Sequence, residues 1–202
     1  MEKSLLKRRQ LLWYLGLGVV GVGGATALHQ ARNFRTTEPR SIPQFSVPSA
    51  LIPEKIKPPE IKLSELQGIN AWLNSEPLSI ASLQGSVVLV QFWTFACINC
   101  QRTLPALVKW HQQYASRGLK IIGVHTPEFA FERDLNNVKQ ALAQHKIAYP
   151  VAIDNNFQTW KAYKNEYWPH LFLADRQGNL VYDHIGEGAY AETEQKINQL
   201  LW

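Results

Sequence analysis

The chain has 202 residues, a formal net charge of +5 and two cysteines. That length supports one domain with a well-buried core plus extensions, and two cysteines exclude a scaffold stapled by several disulfides. Residues 1–63 carry 10 Lys and Arg against 4 Asp and Glu, whereas residues 64–202 carry 11 against 12, so the C-terminal part has no electrostatic footprint for nucleic acid and no such partner is expected.

Residues 1–10 hold Lys3, Lys7, Arg8 and Arg9 against Glu2, a basic region that stays on the cytoplasmic side of a membrane. Residues 11–28 are uncharged and apolar, with five glycines. At ~1.5 Å per residue this segment reaches ~27 Å as a helix, enough to span a bilayer. The same pattern fits an export signal. Ala25-Thr26-Ala27 reads as a small-x-small cleavage site, and Arg8-Arg9 before Gln10-Leu11-Leu12 is similar to a twin-arginine signal. A buried soluble helix fits less well, because each interior glycine costs ~1 kcal/mol. Residues 29–63 form a Pro-rich linker, with Pro39, Pro43, Pro48, Pro53, Pro58 and Pro59 favouring an extended polyproline II spacer. The expected location is a bacterial-type inner membrane, with the domain anchored on the periplasmic or lumenal side. The alternative is release into the periplasm after signal cleavage.

Residues 64–202 are expected to form a single α/β domain. Trp72-Leu73 and Leu78-Ser79-Ile80, on either side of Asn74-Ser75-Glu76-Pro77, suggest an N-terminal β-hairpin. The apolar run Val87–Trp93 predicts a strand buried on both faces. A helix follows Cys100 to about Ser116, kinked at Pro105 and capped by Gly118. Leu119–Val124 predicts a second buried strand, parallel to the first. A helix over Glu132–His145, a strand over Tyr149–Ile153 and a short helix over Asn156–Tyr163 come next. Leu171–Leu173 and Leu180–Tyr182 form a hairpin across Gln177-Gly178-Asn179, and Ala191–Leu201 closes as an amphipathic helix.

Both cysteines lie in Cys97-Ile98-Asn99-Cys100, between the central strand and the first helix, which is the layout of a dithiol redox site. The attacking species in thiol–disulfide exchange is a thiolate. A helix N-terminus favours an anion through its unpaired N–H groups, by up to ~2 kcal/mol, while burial opposes it. Cys97 is therefore predicted to be the partly exposed nucleophile and Cys100 the shielded resolving thiol. A zinc half-site or an inert disulfide are the other readings. Zinc takes about four ligands, and the sequence offers no second cysteine pair or compact histidine pair. No metal or other cofactor is expected.

Phe92-Trp93-x-x-x-Cys97-x-x-Cys100, Pro105 and Pro169 before the last hairpin resemble the thioredoxin superfamily. The added helix and strand between Thr126 and Ile153 resemble its TlpA-like branch. Phe-Trp-Thr-Phe-Ala-Cys-Ile-Asn-Cys-Gln-Arg-Thr-Leu-Pro, Gly-Val-His-Thr-Pro-Glu-Phe, Tyr-Trp-Pro and His-Ile-Gly-Glu-Gly are similar to the thioredoxin-like domain of DipZ-type proteins. The resemblance implies a thioredoxin-like fold with an N-terminal β-hairpin and a central α/β insertion. It also implies a thiol–disulfide oxidoreductase with a redox-active Cys97–Cys100 pair. Pro169 would be the cis proline facing the disulfide, Trp93 the active-site tryptophan and Trp168 a modifier of partner fit. Gln91 stands where thioredoxin has a buried carboxylate, and Glu128 is a candidate replacement beside His125. Phe95, Ala96, Tyr167 and Trp168 would form an apolar docking surface. The implied partners are disulfide-bearing exported proteins, apocytochrome c among them, with electrons from a membrane thiol-transfer protein of the CcdA type. A peroxiredoxin-type thiol peroxidase is an alternative, through Thr94-x-x-Cys97, although Val90 stands where that family has proline. A copper-binding or redox-sensing module is another.

Overall fold

Strand β2, Val87–Trp93, is buried at all seven positions and forms the middle of a six-stranded sheet. The structure, a computed structural model, describes residues 61–202. The sheet order is β1-β4-β3-β2-β5-β6. Its other strands are β1 (Ala71–Leu73), β3 (Leu119–His125), β4 (Val151–Ile153), β5 (His170–Ala174) and β6 (Leu180–Ile185). β2, β3 and β4 run parallel, while β1, β5 and β6 pair antiparallel with their neighbours. Helices α1 (Ile98–Tyr114), α2 (Leu135–Gln144), α3 (Gln158–Ala162) and α4 (Tyr190–Leu201) cover the faces.

The continuous apolar run of β2 has a simple cause, since successive side chains point to opposite faces and both faces are covered. Val87, Leu89 and Trp93 join Leu104, Leu107 and Trp110 of α1, Val138 and Leu142 of α2, and Ile197 and Leu201 of α4. Val88, Val90 and Phe92 face Ile122, Val124, Tyr163 and Leu83, with Trp160 of α3 packed against them. Gly123 of β3 must lack a side chain, because a Cβ there would lie 2.9 Å from Trp93 Nε1. Gly118 ends the first helical segment with a left-handed φ of 102°, after a 3-10 turn over Ala115–Arg117.

The expected N-terminal hairpin does not form. Ala71–Leu73 pairs instead with β4, Leu73 opposite Val151. Leu78–Ile80 leads into a 3-10 turn over Ala81–Leu83 because the Glu65 carboxylate accepts from Ile80 N (2.9 Å) and Ala81 N (2.7 Å), which removes those donors from any ladder. The expected insertion is present as α2 and β4. However, α2 starts at Leu135 with Asp134 as its cap, and Ala130–Arg133 is a separate 3-10 turn. The chain joins the fold at Ile61–Leu63, where Lys62 bridges to Asn179 and Leu63 is buried. Among the described residues no helix is long and apolar enough to cross a membrane. The expected anchor at 11–28 and most of the linker lie outside the described residues.

Candidate functional site

Cys97 is the N-cap of α1, with extended backbone, and its sulfur accepts the Cys100 N–H at 3.3 Å. Both cysteines are free thiols, Cys97 half-buried and Cys100 fully buried. The N–H directed at Cys97 gives the reachable sulfur a hydrogen-bond donor at the opening of α1. Burial pushes the Cys100 thiol far above its ordinary range, and its contact with Cys97 adds to that. The pair is thus one half-buried sulfur and one fully buried, proton-bearing sulfur.

The loop that leads into Cys97 is fastened on both sides. Gln101 Nε2 donates to the Phe95 carbonyl at 2.7 Å, and Ala96 N donates to Glu132 Oε1 at 3.0 Å. Glu132 also accepts from the Thr94 hydroxyl, Glu128 N (2.7 Å) and Phe129 N (2.8 Å). Burial alone would raise this carboxyl, but the four donated hydrogen bonds outweigh it and hold the group below the usual carboxylate value. Glu128, the carboxylate singled out from the sequence, is exposed, and only its backbone N–H takes part. The buried carboxylate of the site is Glu132, four residues further on. Thr94, which echoes part of a peroxidase site, gives its hydroxyl to Glu132.

Gln91 is buried below the dithiol, where its Nε2 donates to Thr103 Oγ1 (2.7 Å) and Thr103 in turn donates to the Cys100 carbonyl (2.7 Å). Trp93 is fully buried and stands edge-on to His125, with ring centroids 5.3 Å apart. The Trp168–Pro169 bond is cis. Phe92 pairs with His170, so Pro169 lies level with Trp93 at the dithiol end of the sheet. Trp168 donates its indole N–H to the Thr126 carbonyl at 3.1 Å and lies on Trp160, with centroids 4.2 Å apart. Ile98, next to Cys97 in the chain, is exposed, as are Phe129, Phe131 and Tyr167, and Phe95 packs against Phe131.

His125 is wholly buried between Trp93 and Phe95, and burial lowers it to about 4, against a smaller upward pull from Glu132. The unfolded chain, with a histidine near ~6.5, therefore binds an extra proton between these values. Stability is fully present above pH ~6.5 and falls as the pH drops towards 4, by ~3 kcal/mol from His125 alone. His170 and His111, also lowered by burial, act in the same direction. Glu132 acts at lower pH, because the stabilisation from a depressed carboxyl is lost as it protonates. Urea unfolding at pH 7 and 4.5 is expected to show a smaller loss for His125→Asn than for the wild type. An equal loss in both proteins would remove His125 from this account.

A family model for AhpC/TSA proteins matches residues 41–183. The chain belongs to the AhpC/TSA family. Among individual proteins, DipZ of Mycobacterium tuberculosis is 48% identical over 140 residues, which cover 68% of this chain but 20% of DipZ. The thiol-disulfide oxidoreductase YkuV of Bacillus subtilis is 27% identical over 139 residues, covering 69% of this chain and 93% of YkuV. The solution structure of a thioredoxin-like protein in its oxidised form superposes with a TM-score of 0.65 at 28% identity, over 70% of this chain and 95% of that one. Within the AhpC/TSA family, the described domain is thioredoxin-like, of the TlpA type.

Proposed function

We propose that this AhpC/TSA family member is a membrane-tethered, extracytoplasmic oxidoreductase that reduces disulfides in exported proteins, including those of apocytochrome c. Its dithiol would be restored by a membrane thiol-transfer protein of the CcdA type. The observation that carries the reading is the unequal thiol pair, with Cys97 reachable at a helix N-cap and Cys100 fully buried behind it. The basic residues 1–10, apolar residues 11–28 and Pro-rich residues 29–63 support the tether.

The chemistry balances as a two-electron exchange. The Cys97 thiolate, its proton released to solvent, attacks one sulfur of the client disulfide, forming a mixed disulfide and expelling a client thiolate that takes up a proton from solvent. Cys100 then attacks Cys97 Sγ, and the proton it gives up is taken by the departing client sulfur. The client ends as two thiols and the protein as the Cys97–Cys100 disulfide. Its return to the dithiol needs two electrons and two protons, which a reduced membrane dithiol supplies.

The full chain, supplied with dithiothreitol, is expected to accelerate insulin disulfide reduction. Its Cys97–Cys100 couple should lie nearer the about −270 mV of thioredoxin than the about −120 mV of a strong oxidant. Tryptophan fluorescence in dithiol redox buffers would follow the couple through Trp93. A potential at the oxidant end would replace reduction of clients with disulfide formation.

A further inference from the structure

We infer that Glu132 is a positioning residue of the dithiol, one that ties the loop before Cys97 to the segment after β3 and keeps a permanent negative charge beside the thiol pair. The inference deepens the oxidoreductase reading and rests on it.

The two carboxylate oxygens divide the work. Oε1 takes the Thr94 hydroxyl and Ala96 N, both in the loop that delivers Cys97. Oε2 takes Glu128 N and Phe129 N, both in the segment that follows β3. Three of the four donors are backbone N–H groups, which cannot turn round to accept. A protonated Glu132 could turn its hydrogen only to the Thr94 hydroxyl and would meet the three N–H groups as a weaker acceptor, so the group functions as an anion. It is therefore unsuited to receive the Cys100 proton. Among the described residues no Lys or Arg forms an ion pair with it, and its neighbour His125 is neutral at ordinary pH. The charge is compensated by hydrogen-bond dipoles alone, and its field reaches the Cys100 thiol. An anion there disfavours the thiolate forms of the reduced protein. Because a stabilised reduced form makes a couple oxidising, this charge acts in the opposite sense and holds the couple to the reducing side.

The test compares the full chain with Glu132→Gln and Thr94→Val, reading the equilibrium with dithiothreitol and the pH profile of Cys97 alkylation. A folded Glu132→Gln protein is expected to shift the equilibrium about tenfold towards oxidant, ~30 mV for two electrons, with alkylation moving to lower pH. The introduced amide would meet backbone donors, so this variant is unfit if it does not fold. Thr94→Val then decides, because it removes one fastening of the loop and leaves the charge. Its equilibrium should stay within about twofold of wild type, while its rate of exchange with a small aromatic disulfide falls about fivefold. A folded Glu132→Gln with an unmoved equilibrium, or a Thr94→Val with the wild-type exchange rate, overturns the inference and leaves the oxidoreductase reading standing. A wild-type protein that forms no reversible Cys97–Cys100 disulfide overturns that reading first.

Discussion

Replacing Cys100 with serine is expected to stop turnover and leave the protein joined to its client through Cys97. Cys97 is the sulfur that a client can reach, and Cys100 is fully buried immediately behind it. The first displacement needs only Cys97, so it survives the change. The second displacement loses its internal nucleophile and must wait for a thiol from solution. Well-placed internal groups reach effective molarities of ~10⁵ M or more, against millimolar external thiol, so turnover should fall by more than about a thousandfold. Non-reducing electrophoresis with mass spectrometry would show the mixed disulfide in Cys100→Ser, and neither adduct nor turnover in Cys97→Ser. Insulin reduction by Cys100→Ser within about tenfold of wild type would mean that one cysteine suffices, and the resolving role of Cys100 would have to be abandoned.

The second large effect is structural. Trp93→Ala should cost ~3–5 kcal/mol, the range for deleting a buried aromatic from a core. Trp93 is fully enclosed, edge-on to His125 and fitted over the bare Cα of Gly123. For a domain of this size that loss lowers the melting temperature by on the order of 10 °C. Trp93→Phe should recover much of it, because a ring still fills most of the space. Thermal unfolding followed by far-ultraviolet circular dichroism would measure both. A Trp93→Ala protein within about 1 kcal/mol of wild type would show that the neighbours collapse into the gap, contrary to the packing argued here.

Much of this arrangement can be read from the sequence because its causes are local. The β2 run, the Cys97–Cys100 spacing at the opening of α1 and the periodic apolar positions of α2 each lie within one short window. The N-terminal segment is different. Leu78–Ile80 looks like half a hairpin, but its fate is set by Glu65, 15 residues earlier, whose carboxylate captures Ile80 N. Glu132 is hidden for the same reason, since it meets Ala96 N across 36 residues. A Ser or Thr three residues before a glutamate would announce a capping arrangement, whereas this chain has Phe129 there. The loop after β3 is legible as a source of a carboxylate near the thiols. Which of its two glutamates turns inward depends on the 3-10 turn at Ala130–Arg133, and that turn has no clear signature.

The added α2–β4 segment is bound to the rest of the domain at two separated places. Among the described residues β4 supplies the only strand that β1 pairs with, and the turn before α2 supplies the carboxylate that holds the residues before Cys97. Trimming the domain to a minimal thioredoxin would therefore orphan an edge strand and unfasten the reactive loop together. In an evolving lineage, changes in this segment can retune the dithiol without touching the Cys-x-x-Cys sequence itself. Its loss would demand simultaneous compensation at Thr94, Ala96 and Ala71–Leu73, which makes the insertion easier to modify than to discard.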